Sequence, residues 1–165
     1  MKHSFLTVKQ AYNDMQSRFS DTDSAPPACR WLLDNFYLIR REYESARAEL
    51  LSVGSIRRCE YGILALECCK IMVRTGGCRI NRERCGLFLK GFQRVTPLER
   101  QELSLIPVLL RTTLIAAAAE LCTAPDTGET EGGKARLFES LFAHEDKLVI
   151  AIADGVAKEE VVSSF

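Results

Sequence analysis

Residues Thr96–Leu121, TPLERQELSLIPVLLRTTLIAAAAEL, make up the longest predominantly apolar run in the chain. The run opens with a helix-start signature. Thr96 stands as N-cap, Pro97 at the first helical position and Glu99 three residues after the cap. Thr96 and Glu99 then satisfy each other's orphan backbone donors, and Pro97 gives up an N–H that had no partner in any case. Leu103, Ile106, Leu110, Leu114, Ala117 and Leu121 follow at helical spacing. A second apolar line runs through Leu98, Leu105, Leu109, Ala116 and Ala119. A helix apolar on two sides belongs at the buried centre of a helical domain. Pro107 removes the hydrogen bond to the Leu103 carbonyl, a cost of about 3 kcal/mol in an exposed helix interior. A kink is expected there, or two helices meeting. Arg111, two threonines and Pro107 are costly or awkward in lipid, so the run reads as a core helix with no membrane insertion.

Outward from this run the pattern stays helical. Phe5, Val8, Tyr12, Met15 and Phe19 mark an amphipathic helix over 4–19. Ser20–Pro27 is a turn-rich break, with Ser24 as N-cap and Pro26 and Pro27 in the first turn of a second helix. That helix, from about Pro26 to Leu50, carries Leu32, Phe36, Ile39, Tyr43, Ala46 and Leu50 as a packing stripe. Arg40, Arg41, Glu44, Arg47 and Glu49 form its wet face. After a turn around Gly54, a third helix is expected from about Ile56 to Arg74, stopped by Thr75-Gly76-Gly77. It places Cys59, Ile63, Leu66 and Val73 on one line and Leu64, Cys68 and Ile71 on the next. A fourth, from about Arg82 to Arg94, is expected to bury Cys85, Phe88, Phe92 and Val95. Beyond the central run, about 123–133 reads as a mobile polar loop. Helices are expected over Lys134–Ala143 and Asp146–Ala153, with a last turn at Lys158–Ser164. No alternating run is long enough for a strand. The expectation is an all-α fold: one domain, residues 1–165, a bundle or array of about six to eight helices around a central kinked apolar helix. Short connections make helices two to five antiparallel neighbours.

Composition bounds the function. With 165 residues, 47% apolar, 27% charged and zero formal net charge, the chain is an ordinary globule with no overall field to draw nucleic acid or an anionic surface. Charge is uneven locally. Arg74, Arg79, Arg82, Arg84, Lys90, Arg94 and Arg100 face only Glu83 and Glu99, whereas acids dominate from Glu120 onward. This pattern reads as complementary faces, within the domain or toward a neighbour. The seven cysteines are odd in number and sit mostly among helix-core residues, which fits reduced thiols in a cytosolic compartment. Their spacings match no zinc motif, and His3 and His144 are the only histidines, so no metal is expected.

The residue types for catalysis do not converge. Two histidines in poor contexts make a Ser-His or Cys-His pair improbable. Gly76-Gly77 and Gly132-Gly133 lack phosphate-cradling spacing. No catalytic residue, cofactor or enzyme activity is therefore assigned. Asp34, Glu102 and Arg111 stand out as charges within otherwise apolar helices. Buried charge persists only when paired and hydrogen-bonded. Asp34, Asn35, Glu102 and Arg111 are thus expected to form a polar clasp holding the central helix, whose core residues are Leu103, Ile106, Leu110, Leu114 and Leu121.

Two motifs carry a family resemblance. Trp31-Leu32-Leu33-Asp34-Asn35 with Phe36-Tyr37-Leu38-Ile39 is the first. Val95-Thr96-Pro97-Leu98, Glu102-Leu103, Ile106-Pro107, Leu110-Arg111 and Leu114-Ile115 make the second. Together, and with Arg57–Leu66 between them, they resemble the N-terminal helical region of the cyclic β-1,2-glucan synthases, large membrane-associated bacterial glycosyltransferases. The likeness covers about residues 28–121. Ser104 replaces the tryptophan usual after Glu-Leu, and Leu51-Ser52-Val53-Gly54 replaces a Leu-Pro segment. The resemblance implies a parent enzyme that uses UDP-glucose, with its catalytic residues outside these 165. The chain would be a fragment of that larger polypeptide: a cytoplasmic, non-catalytic helical module whose parent is inner-membrane-associated. Its implied partners are the remainder of the parent polypeptide and possible contact with the glucan. The alternative is a free-standing α-helical regulatory or nucleic-acid-binding module using the basic segment 74–100, and it predicts salt-dependent retention on DNA or RNA.

Overall fold

The structure, a computed structural model, describes residues 1–19, 22–54, 56, 58–60, 62–75 and 82–124. The loop and helices expected beyond residue 124 lie outside the described residues. Those described are all-α: α1 (Lys2–Arg18), a 3-10 turn (Thr22–Ser24), α2 (Pro27–Leu51), α3 (Leu64–Thr75), α4 (Arg82–Val95), α5 (Arg100–Ser104) and α6 (Ile106–Thr123). The one departure is a minimal antiparallel ladder between β1 (Arg58–Cys59) and β2 (Gly62–Ile63).

α6 sits at the centre, packed against α1, α2 and α3. Most of its apolar residues are enclosed: Ile106, Val108, Leu109, Leu110, Leu114, Ile115, Ala118 and Ala119 are all buried. By length and composition it could cross a membrane, yet more than half of it is buried inside this fold. Of the expected core residues, Leu103, Ile106, Leu110 and Leu114 are buried, while Leu121 is half-buried and packs on the edge.

Pro107 divides the apolar run. α5 ends and α6 begins at Leu105, so Pro107 falls in the first turn of α6, where a missing N–H costs nothing. Two helices meet here; no single helix bends. The helix start expected at Thr96 lies three residues further on. Glu99 is the N-cap of α5, its side chain accepts from the backbone of Glu102, and the Glu102 carboxylate accepts from the Glu99 N–H at 2.7 Å. Thr96 instead closes α4, its N–H donating to the Phe92 carbonyl at 2.8 Å. Burial of Leu98 decides between the two frames. The chain must carry Leu98 into the core before turning helical, and this sets Leu98 and Leu103, both buried, in the positions of a hydrophobic staple.

α1 and α2 lie antiparallel. Phe5 stacks on Tyr43 with ring centroids 3.9 Å apart, and Tyr12 stacks on Phe36 at 4.2 Å, so a step forward on one helix is a step back on the other. The α2 stripe is as expected: Leu32, Ile39, Tyr43 and Ala46 are buried, Phe36 and Leu50 half-buried. Its start differs. Pro26 is the N-cap, with Ser24 left in the 3-10 turn, because the ring of Pro27 holds Pro26 extended (φ −52°, ψ 151°). The third helix begins at Leu64, well after Ile56. Gly62 takes φ +127°, a conformation side-chain-bearing residues rarely adopt, and it forms the small ladder in place of helix. Val95, expected to be buried, is exposed, as is Ile71 on the second line of the third helix.

Candidate functional site

The polar positions singled out in the apolar helices do not gather into one clasp. Asp34 is exposed on α2. The Asn35 amide turns back to donate to the Trp31 carbonyl, 2.9 Å away within its own helix. Glu102 is buried and caps α5. Asp34 thus faces water and Asn35 and Glu102 bond within their own helices, whereas Arg111 reaches across to another helix.

Arg111 comes off the second turn of α6 and crosses to α2. Its Nη2 donates to both carboxylate oxygens of Glu49, at 2.5 and 2.6 Å, and Nη1 donates to the Ser45 hydroxyl at 3.0 Å. Ser45 and Glu49 stand one helical turn apart, so a single guanidinium spans both; the Ser45 hydroxyl also lies 3.3 Å from a Glu49 oxygen. The Arg111 side chain is 16% exposed and that of Glu49 47%, so the pair opens to water on the α2 side. The buried Nε of Arg111 finds no partner among the described residues. Helical spacing alone assigns Glu49 to the wet face of α2. The missed signal is that Glu42, Ser45 and Glu49 share one side of that helix, adjacent to the packing stripe. Glu42 is itself buried, its carboxylate held by the Arg41 guanidinium at 3.0 and 3.1 Å. Its place three residues after Ile39 and one before Tyr43 carried that information.

A second cluster joins α3 to α4. Cys68, Cys69 and Cys85 are buried, whereas Cys29, Cys59 and Cys122 are half-buried. Burial pushes the Cys68 thiol up to about 12, with Cys85 adding to the shift. Burial likewise raises Cys69 well above the usual thiol range, with Cys68 and Cys85 contributing. The Cys69 thiol points at the Ile106 carbonyl, 3.9 Å away, at the start of α6. Thiolates are the nucleophiles and metal ligands, so burial makes this cluster chemically quiet. Among the described residues, no group of three or more His, Cys, Asp or Glu side chains is placed to hold a metal ion.

The described ionisable groups in and around the core are thus engaged in capping, cross-linking and packing. No model of a known protein family, no curated protein and no solved structure matches the chain.

Proposed function

We propose that the chain is a non-catalytic helical module of a cyclic β-1,2-glucan synthase-like glycosyltransferase. Its role is architectural: on the cytoplasmic side, it docks on the catalytic remainder of the parent polypeptide. The observation that carries the architectural reading is the enclosure of α6 by α1, α2 and α3, with Arg111 committed to the Ser45–Glu49 pair and Glu102 to a helix cap. Groups held this way order a scaffold. The link to the synthases rests on the two sequence motifs. One lies on α2 and the other extends from the end of α4 into α6, and α2 and α6 pack on each other.

The purified chain is expected to transfer no glucose from UDP-glucose. Measured transfer to an oligosaccharide acceptor would overturn the non-catalytic reading. The family link has a separate test in the gene: a frame continuing past Phe165 into transmembrane and glycosyltransferase regions supports it, and a frame without them removes it.

A further inference from the structure

We propose that the outward face of α4 seats the domain on an anionic phospholipid surface. Among the helices, α4 packs chiefly on α3, and it is not one of the three that enclose the central helix, so it lies toward the periphery. Cys85 and Leu89 point inward and are buried. At 100° per residue, the opposite arc holds Glu83, Arg84, Leu87, Lys90 and Arg94, all exposed, three cations to one acid, with Val95 at its edge. Leu87 sits near the middle of the arc and is 65% exposed, and Val95 at the helix end is 85% exposed. The cations extend about 15 Å along the axis from Arg84 to Arg94.

This combination selects among polyanions. Arginine and lysine attract phosphate in any form, lipid or nucleic acid. An exposed leucine amid them gains nothing from a phosphodiester backbone, but it gains from entering the apolar margin of a bilayer. Single-stranded nucleic acid would call for well-exposed aromatic side chains on which bases stack; Phe88, beside Val95 at the edge of the arc, and Phe92, further round, are both half-buried. The face is also a convex helix surface, suited to a plane. The net charge of the whole chain is zero, so attraction comes from this face alone and should be short-ranged.

The inference rests on the architectural reading, and the two fail separately: sugar transfer would sink that reading and leave vesicle binding standing. The test is co-sedimentation of the full chain with vesicles of phosphatidylcholine alone or mixed with phosphatidylserine, at about 0.05 M and about 0.5 M salt. Retention is expected on the serine-containing vesicles only, and weaker at high salt. Lys90→Gln and Arg94→Gln should each weaken low-salt binding about fivefold. Leu87→Ser should weaken it severalfold at both salt concentrations. All three positions are exposed, so circular dichroism of the variants should match the parent chain. No retention on anionic vesicles overturns the proposal. So does retention that the Lys90→Gln/Arg94→Gln double variant leaves unchanged, or capture by single-stranded RNA without capture by vesicles.

Discussion

Arg111 is held where its aliphatic stem can lie along the apolar α2–α6 seam while its head reaches the Glu49 carboxylate near water. Half of that ion pair is solvated, so its net worth is that of a partly exposed pair. A double-mutant cycle of Arg111→Met with Glu49→Gln should give a coupling of about 0.5–1 kcal/mol by urea unfolding, shrinking with added salt. Arg111→Met alone should cost less than Arg111→Ala, because methionine keeps the packing volume and Glu49 keeps its water. The buried thiols give a prediction of their own. Burial pushes the Cys68 thiol from the ordinary value of 9.0 up to about 12. The folded state thus holds protons that the unfolded chain releases. Stability contributed by the neutral thiol is complete below about pH 9 and lost as pH rises toward about 12, at up to about 1.4 kcal/mol per pH unit for each such group. Urea midpoints measured on either side of pH 9 should show this slope, and Cys68→Ala should flatten it. Burial of the cysteines could be read from their apolar neighbours. The partner of Arg111 could not, since a charge inside a helix says only that a partner exists.

The junctions between helices depend on a few backbone-directed groups. The reciprocal cap of Glu99 and Glu102 fixes where α5 starts, and Pro107 fixes that α6 is a new helix. Glu102→Ala should destabilise the fold by about 1–2 kcal/mol, since it removes a cap acceptor and leaves the Glu99 N–H without its bond. Glu102→Gln should recover much of that loss, and thermal melts of the pair would separate capping from charge. Thr96→Ala, by contrast, should have little effect, because Thr96 ends α4 through its backbone. A melt shifted equally by Thr96→Ala and Glu102→Ala would restore the frame that starts at Thr96. Both frames satisfy the spacing rule for a capping box, so local sequence could not separate them. The burial of Leu98 could. The Gly62 turn shows the same limit: helical spacing runs through Ile56–Arg74, and only the backbone at Gly62 shows where it is interrupted.

For the whole molecule, three helices share one support. Leu110 and Ile115 are fully buried on α6, which packs against α1, α2 and α3. Leu110→Ala should cost about 2–5 kcal/mol. The loss should be cooperative: fluorescence of Trp31, the single tryptophan, and far-ultraviolet circular dichroism should report one coincident transition. Separate transitions would mean that α2 is stable without α6. Sequence by itself determined the class of this protein. A long, mostly apolar run has to be enclosed, and the surrounding 3–4 periodicities can enclose it only as helices. It also marked Pro107 as a point of interruption, because a missing N–H is a covalent fact, but left open a kink or a junction of two helices; the structure makes it a junction. Tertiary structure alone decided the polar pairings and the frame of each helix start. Arg111 takes Glu49, Glu102 takes its own helix start, and Asp34 faces water. These outcomes depend on which helix lies opposite, a distance in space that residue spacing along one chain does not encode.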